Sequence, residues 1–468
     1  MKNKLLVLAF FFSLLISAQE KNSFSLDEAI EYALENNRTV KNAKRDVESA
    51  KQQKWETTTM GLPQINASID YKNWLKQQVS LFPPGFSDKY NQIRDLDTYY
   101  DITKDPANPI PNAPTDFTEI AFGTKQTMSG TATLSQLLFD GSYVVGLQSA
   151  KVFLEISKNA KKKTDLEVRK AVVNAYGNVL LAEESIHILE RNITVLQKNL
   201  DETTKIYENG FEEEESVEQL QITLTGVKSN LQKTMRLKKL AVQMFNITIG
   251  IDLDKTTTLT DTLESLTTQN LTLELLEVDN NVENTIDYKI AENDKRSKEL
   301  LLKLEKSKAL PSLNAFLNGG YTANSDSFTF TSGRQKWFGS SLFGVSMNVP
   351  IFSSGARNAR TQKARINLEK ANEDLTETAQ KLKLQIASAK SDYQFSIEDY
   401  ENKKNNLNLA QRIESKNQTK FFEGIASSFE LRQAQAQLYN SQQEFLQSML
   451  DVINNKATLE TALNTIIK

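Results

Sequence analysis

Apolar residues recur every three or four positions over much of the last third of the chain, the spacing of one face of an α-helix. The steps between them average about 3.6 residues, the helical period. One unbroken apolar stripe of this length predicts a very long helix that packs along a single narrow face. The stripe comprises Ala364, Leu368, Ala371, Leu375, Ala379, Leu382, Ile386, Ala389, Tyr393, Ile397, Tyr400 and Leu407.

The positions of the prolines also favour long helices. No proline lies between Pro114 and Pro311, and none follows Pro350. Proline inside a helix costs about 3 kcal/mol, because it removes a hydrogen bond and clashes with the preceding turn. The proline-free tracts are rich in good helix formers. One helix, at about 142–209, would be roughly 100 Å long, which is longer than a globular core requires.

Four short segments alternate between apolar and polar residues, as β-strands do. Each is about ten residues long, the length of a tilted membrane-spanning strand. Their polar positions carry mainly Ser, Thr and Asn, as the wall of a wet lumen would. The alternative is a soluble amphipathic hairpin packed on a helix. The predicted strands lie at about 62–75, 126–139, 311–323 and 339–352.

Two motifs occur twice and in the same order. GLPQINA at 61–67 matches ALPSLNA at 309–315, and YENG at 207–210 matches FFEG at 421–424. The chain is therefore predicted to contain two helix–strand–strand–helix–helix repeats, of which the first has a long loop at 76–125. The predicted boundaries are 25–250 for the first repeat, 251–282 for a Thr-rich linker and 283–465 for the second repeat.

Four strands per chain are too few to close a barrel. An open sheet edge cannot lie in lipid, because its backbone groups would have no hydrogen-bond partners. If the strands span a membrane, several chains must share one barrel.

The beginning of the chain is typical of a secretory signal peptide, predicted at 1–18. Lys2 and Lys4 precede an apolar run at 5–16, and small residues follow it. The run is shorter than the roughly 20 residues that a membrane-spanning helix needs. No cysteine follows the predicted cleavage point, so the mature chain is predicted to be exported and not lipidated.

Composition excludes several classes of chemistry. The chain has no cysteine and one histidine, so thiol catalysis, histidine triads and the common zinc sites are excluded. Its 56 basic and 59 acidic residues give a net charge of −3, without a general basic field for nucleic acid. We predict no enzyme activity, no cofactor and no metal site.

These features resemble the TolC family of outer-membrane efflux proteins over nearly the whole mature chain. The motifs that carry the resemblance are the duplicated Leu-Pro-x-x-Asn-Ala, VPIF at 349–352, and aromatic-x-x-Gly before each helical turn. The resemblance implies a mainly α chain with a β-barrel part. It implies a homotrimer, in which a 12-stranded outer-membrane barrel continues into a long periplasmic α-helical barrel.

The function implied by the resemblance is that of a passive exit duct in tripartite efflux or type I secretion. The implied partners are outer-membrane lipid, a periplasmic adaptor (membrane fusion) protein and an inner-membrane pump of the RND, ABC or MFS type. The competing hypothesis is a periplasmic coiled-coil adaptor or scaffold. Adaptors also have signal peptides and helical hairpins, but they need compact Gly-rich β-domains, which this chain lacks.

Two glycines that separate long helical stretches are predicted to end helices in the left-handed conformation. In the family, such turns form the periplasmic tip that meets the adaptor. By position, the adaptor-docking residues would be Tyr207, Gly210, Phe211, Phe421, Gly424 and Ile425.

The family also places acidic residues at the entrance of the tunnel. By position these would be Glu430 and, at the second place, Gln433, which is not acidic. Ser427 and Glu430 also match a capping box, so Glu430 has a compatible local explanation. An acidic run at 212–215 near the other turn is a second candidate for the entrance.

Overall fold

The computed structural model describes residues 22–84, 112, 115–278 and 281–465. The predicted signal peptide at 1–18 and the middle of the predicted loop at 76–125 lie outside these residues. The chain forms two compact units. The helical unit comprises Met1–Lys54, Leu147–Glu305 and Asn358–Lys468, and the sheet unit comprises Trp55–Gly146 and Lys306–Arg357.

The described part of the chain is mainly helical, as predicted. Two helices, α3 (Gly141–Glu208) and α8 (Ala356–Phe422), have 68 and 67 residues. None of the described helices combines the length and apolar character needed to cross a membrane. The helices are α1 Leu26–Asn36, α2 Arg38–Thr59, α3 Gly141–Glu208, α4 Glu214–Ile249, α5 Leu263–Gln269, α6 Glu274–Glu277, α7 Ile286–Ser307, α8 Ala356–Phe422 and α9 Ser428–Leu463.

The apolar stripe predicted for α8 packs inward. Leu382, Ile386 and Tyr393 are buried, and the other members of the stripe are buried or half-buried. The prediction of a single stripe was wrong, however, because α8 has a second apolar face. Leu384 and Phe395 are 73% and 65% exposed on it. The remaining residues of this second stripe are Ile366, Leu409 and Ile413.

The second stripe lies almost opposite the first. At about 100° per residue, its five members fall within ~20° of one direction, and the buried stripe is centred ~170° away. Most successive members are separated by several turns with no apolar residue on this face, and only Leu409 and Ile413 are one turn apart. A pattern search by steps of three and four residues therefore does not detect it.

The linker predicted at 251–282 folds onto the long helices. A short strand, β6 (Thr258–Leu259), pairs in parallel with β1 (Ser23–Phe24). Two fully buried tyrosines anchor the segment. The Tyr176 hydroxyl lies 2.8 Å from an Asp261 carboxylate oxygen, and the Tyr393 hydroxyl lies 2.8 Å from the carbonyl oxygen of Thr272. Burial is the main cause that raises the pKa of both tyrosines, so both hydroxyls stay protonated and can donate.

The sheet unit contains one open, antiparallel, four-stranded sheet of order β2-β5-β7-β8. A smaller antiparallel pair, β3 with β4, lies within the segment predicted as a loop. The strands are β2 Gln64–Asn73, β3 Val79–Phe82, β4 Thr118–Ala121, β5 Gln126–Asp140, β7 Ser312–Ser325 and β8 Phe338–Asn348. Strand β8 ends two residues before Pro350, which has no N–H to continue a ladder.

The register places the alternating apolar residues of all four strands on one face. Ile65 pairs with Leu134, Leu134 with Leu317, and Leu317 with Phe343. Paired residues share a face. Ile65 is 74% exposed and Phe343 is also exposed, so this face is not packed on a helix as the soluble-hairpin alternative requires.

The opposite face of the sheet is polar and joined by side-chain hydrogen bonds. Ser68 and Thr131 hydroxyls lie 3.0 Å apart, and Asn318 donates to the Thr133 hydroxyl at 2.8 Å. The sheet is therefore apolar on one face and mainly polar on the other, and within the described residues β2 and β8 are its unpaired edge strands.

Candidate functional site

The two glycine turns of the helical unit have the same backbone geometry. Gly210 has φ +78° and Gly424 has φ +73°, so the predicted left-handed conformation is confirmed. In each turn the glycine N–H bonds to the carbonyl three residues earlier. The next N–H bonds to the carbonyl five residues earlier, at 3.1 Å after Gly210 and 2.8 Å after Gly424. This pair of bonds is the Schellman motif, which ends a helix and reverses the chain.

The two turns lie side by side at one end of a four-helix arrangement. The Ser216 hydroxyl at the start of α4 and the Ser428 hydroxyl at the start of α9 lie 2.9 Å apart, within hydrogen-bond distance. Nearby, the Gln418 amide of α8 donates to Asn199 of α3, also at 2.9 Å. The tertiary fold therefore brings together two turns that are more than 200 residues apart in the sequence.

Three large apolar side chains are exposed at these turns. Phe211 and Ile425, both predicted docking residues, are exposed, and Phe429 is a third that sequence reasoning missed. One signal in the sequence could have identified Phe429. The capping box sets Ser427 as the N-cap of α9, so Phe429 lies in the first turn of that helix, beside the glycine turn. Of the other predicted docking residues, Tyr207 is partly exposed. Phe421 is only 5% exposed and packs edge-on against Phe422.

The predicted capping box at the start of α9 is present. Ser427 donates its N–H to a Glu430 carboxylate oxygen at 2.8 Å, and the Ser427 hydroxyl accepts from the Glu430 N–H at 3.3 Å. The Ser427 hydroxyl also lies 3.2 Å from the same carboxylate oxygen, and the bonds that the Ser427 N–H and hydroxyl donate to this carboxylate lower the pKa of Glu430. Glu430 and Gln433 are both exposed, and their spacing of three residues places them on one face of α9.

The acidic run at 212–215 occupies the start of α4. Glu214 and Glu215 lie in the first helical turn, where the helix dipole favours negative charge. The Glu212 carboxylate accepts from the Ser216 hydroxyl at 2.7 Å. Both second helices therefore begin with carboxylates next to an exposed apolar turn. Within the described residues, no three His, Asp or Glu side chains are placed to hold a metal ion.

Long paired helices, a sheet with one apolar and one polar face, and two copies of one turn define a class of chain. Chains of this class combine an amphipathic β-sheet with long paired helices. The chain belongs to the outer membrane efflux protein family, whose model matches residues 29–242 and 290–465. This family consists of transport channels, which argues against the adaptor hypothesis and against an enzyme.

Solved structures share the fold. The outer membrane protein VceC from Vibrio cholerae has a TM-score of 0.68 at 16% identity, covering 94% of this chain and 96% of VceC. The Campylobacter jejuni CmeC outer membrane channel has a TM-score of 0.68 at 16% identity, and the match covers 94% of this chain and 85% of CmeC. The Neisseria gonorrhoeae MtrE outer membrane channel, in its open state, has a TM-score of 0.64 at 17% identity, and the match covers 94% of this chain and 89% of MtrE. No curated protein sequence is significantly similar to the chain.

Proposed function

We propose that this protein is the outer-membrane exit duct of a tripartite efflux or type I secretion system. It conducts passively what an inner-membrane pump of the RND, ABC or MFS type and a periplasmic adaptor deliver. The observation that carries the proposal is the exposed apolar face of the sheet in a chain of the efflux family. Such a face is stable in lipid, while the polar face suits a water-filled lumen.

The free edges of the sheet support a shared barrel. In lipid, the backbone groups of β2 and β8 need partners from other chains. Three chains with four strands each give the 12-stranded barrel. The proposed homotrimer would carry the helical units into the periplasm as an α-helical barrel.

Two edge helices of the helical unit support a ring of chains. Helices α3 and α9 bond to each other, through Asn192 and Gln442 at 2.8 Å. Helix α4 is bonded to α3 and α9, and α8 to α9 and α3. Among the described residues, no side-chain hydrogen bond or ion pair joins α4 to α8. We therefore place these two helices on opposite sides of the α3–α9 pair.

Each edge helix carries an apolar stripe that its own chain leaves exposed. On α8 it is the second stripe described above, and on α4 it comprises Ile222, Leu237, Leu240, Met244 and Ile247. At about 100° per residue, the members of the α4 stripe also lie within one narrow sector. We propose that α4 of one chain packs on α8 of the next, which is a head-to-tail contact that can close a ring.

The positions of the stripe residues along the helices support this pairing. At ~1.5 Å per residue, Ile222 and Ile413 both lie about 17 Å from their turn glycines. Leu240 and Phe395 both lie about 44 Å away, on the same scale. If the turns of neighbouring chains are level, Ile222 meets Ile413 and Leu240 meets Phe395 across the contact.

The remaining features complete the proposal. Residues 1–18 are a signal peptide that is cleaved without lipidation, and the loop at 76–125 faces the cell exterior. The repeats are 25–250 and 283–465, with the linker at 251–282 around the middle of the helical barrel. Glu430 and Gln433 face the tunnel entrance. The adaptor docks on the turns that contain Tyr207, Gly210, Phe211, Phe421, Gly424 and Ile425.

Extraction from native membranes tests the trimer and its location. The mature protein should fractionate with the outer membrane, should require detergent for release, and should migrate as a trimer unless heated. The reason is that the sheet and both edge helices expose apolar surface in a single chain. A monodisperse soluble monomer, obtained from native cells without detergent, would contradict the proposal.

A further inference from the structure

The contact between α3 and α9 contains two pairs of amide side chains. The helices are antiparallel, because α3 ends at one turn and α9 starts at the other. Asn192 of α3 donates to Gln442 of α9 at 2.8 Å. Seven residues nearer to the turns on both helices, Asn199 and Gln435 occupy the equivalent positions. These two side chains are 0% and 1% exposed, so the second pair is completely buried.

The second pair has unused hydrogen-bonding groups. The Asn199 side-chain oxygen accepts from Gln418 of α8 at 2.9 Å, so the amide nitrogen of Asn199 points elsewhere. Within the described residues, this nitrogen and both polar atoms of the Gln435 side chain have no hydrogen-bond partner. A donor and an acceptor at one level of a helix pair can be joined directly or through one water molecule. Asn199 and Gln435 therefore complement each other as Asn192 and Gln442 do.

The environment of Glu414 on α8 agrees with this orientation of Gln435. Burial raises the pKa of Glu414, and the nearby Gln435 amide acts in the opposite direction. An amide N–H that faces a carboxylate has this effect. The Gln435 side-chain oxygen is then on the side of Asn199.

Both amide pairs lie at matched distances from the two glycine turns. Asn192 and Gln442 are each 18 residues from the glycine of their turn, and Asn199 and Gln435 are each 11 residues from it. The register that pairs the amides is therefore also the register that makes the two turns level.

A slip of α9 along α3 would break both pairs. A shift of one turn, about four residues, would place Asn192 against Leu446 in one direction and against Leu438 in the other. In the second case Asn199 would also meet Leu431. All three leucines are buried, so the amides would lose their partners without gaining water. Apolar pairs discriminate less, because apolar side chains can pack on one another in several registers.

We propose that Asn192, Asn199, Gln435 and Gln442 are positioning residues that fix the register between the two repeats and so keep the two turns level. Helix α3 belongs to the first repeat and α9 to the second, so no short connection aligns them. A buried polar pair can select one register of paired helices at a cost in stability. The register does not depend on the exit-duct proposal. Its consequence, that level turns form one adaptor-docking surface, rests on that proposal.

Disulfide trapping measures the register, because the chain has no cysteine of its own. Ser216→Cys with Ser428→Cys reports the observed register, since these two hydroxyls lie 2.9 Å apart. Ser216→Cys with Arg432→Cys reports a slip of one turn, because Arg432 lies one turn further along α9. Each pair is introduced into the full-length protein in detergent and oxidised with copper phenanthroline. The disulfide yield is measured from the loss of free thiols.

An isosteric variant removes the amides and keeps their size. It combines Asn192→Leu, Asn199→Leu, Gln435→Met and Gln442→Met. We expect the in-register disulfide yield to fall at least threefold, because no buried amide then opposes a slip. The unfolding midpoint should equal or exceed that of the wild type, since both partners of each pair become apolar. Gln418 and Glu414 lose a neighbour, but they are only half-buried and can bond to water.

The matched control exchanges the partners within each pair. It combines Asn192→Gln with Gln442→Asn, and Asn199→Gln with Gln435→Asn. This variant keeps an amide pair at each level and should retain the wild-type disulfide yield. A control that loses the disulfide as the isosteric variant does would overturn the proposal.

Two results with the isosteric variant would also overturn the proposal. One is an in-register disulfide yield equal to that of the wild type. The other is an unfolding midpoint below that of the wild type, or failure to fold, because the amides would then stabilise the chain instead of selecting its register. These measurements require neither export nor a trimer, so failure of the exit-duct proposal is recognised separately.

Discussion

At the scale of single residues, two positions at the turns are fixed by backbone chemistry before any partner is considered. Gly424 holds a left-handed φ that side chains with a Cβ rarely adopt. Glu430 completes a capping box. Both residues therefore have structural roles, and a role in transport must be tested by changes that separate the two.

Gly424→Val should impair export more than trimer formation. A β-branched residue at this φ costs roughly 1–3 kcal/mol and disturbs the turn. The long helices hold the rest of the unit, so the trimer should persist. Export of a known substrate and the heat-sensitive trimer band are measured in the same cells.

The matched control for this change is Gly226→Val. Gly226 lies within α4 at an ordinary helical backbone angle, and an added Cβ meets nothing within 4 Å. This variant should retain both export and the trimer. If Gly424→Val loses trimer and export in equal measure, the turn serves assembly only.

Glu430→Gln should reduce cation preference of the trimer in planar bilayers. Three carboxylates around one narrow axis would raise the local cation concentration. Glutamine keeps the capping box, so helix stability changes little. Because Ser427 lowers the pKa of Glu430, the wild-type preference should persist to more acidic pH than an ordinary glutamate would allow.

The opposite change provides the control. Gln433→Glu adds a carboxylate one turn further along the same face of α9 and should increase cation preference. Both effects should shrink at high salt, because the screening length falls to about 3 Å at 1 M. If the cation selectivity of Glu430→Gln is unchanged at low salt while the trimer is intact, Glu430 serves only as a helix cap. The acidic run at 212–215 would then be the next candidate for the tunnel entrance.

At the scale of secondary structure elements, the important feature is that α4 and α8 each have two apolar faces. One face packs within the chain and the other is exposed along its length. A helix with this pattern is stable in water only when a second partner covers the outer face. In the proposed trimer, the outer faces of α4 and α8 would form the contacts between chains, whereas α3 and α9 pack within the single chain.

Leu240→Glu and Phe395→Lys should each reduce the trimer fraction at least tenfold, which corresponds to ~1.4 kcal/mol. Each would bury an unpaired charge in the proposed α4–α8 contact. The double variant should recover part of the trimer, because the two new charges would then face each other. Trimer is measured by unheated electrophoresis and by light scattering in detergent.

The control for the helix pairing is Thr376→Glu. Thr376 is exposed on α8, but lies about 80° around the helix from the second stripe. This change should leave the trimer intact. If both single variants lose the trimer and the double variant does not recover it, α8 packs on a helix other than α4.

At the scale of the whole molecule, folding and assembly are expected to be coupled. The sheet has an exposed apolar face and two free edges, and the helical unit has two exposed stripes. In the proposed trimer, each of these surfaces would be covered by lipid or by another copy of the chain. The apparent stability of the protein should therefore depend on chain concentration and on the membrane or detergent that surrounds it.

Much of this protein is determined by its sequence alone. The positions of the prolines predict α3 and α8, and the buried apolar stripe also predicts α8, because each signal depends only on residues of one helix. Alternation predicts the four long strands and their common face, and the repeated motifs predict the two turns. The left-handed glycines and the capping box follow for the same reason, since their geometry depends on a few neighbouring residues.

Other features were decided only by the tertiary structure. The second stripe of α8 is recognised only when the structure shows which apolar residues the chain leaves exposed. The exposure of Phe429 and the burial of Phe421 depend on how four helices meet. The small strands and helices between 251 and 282 are too short to form by local preference. They are held by Tyr176 and Tyr393, whose partners are distant in the sequence. Lys456 looks like an ordinary surface lysine until α1, α3 and α5 close around it, because burial depends on long-range packing.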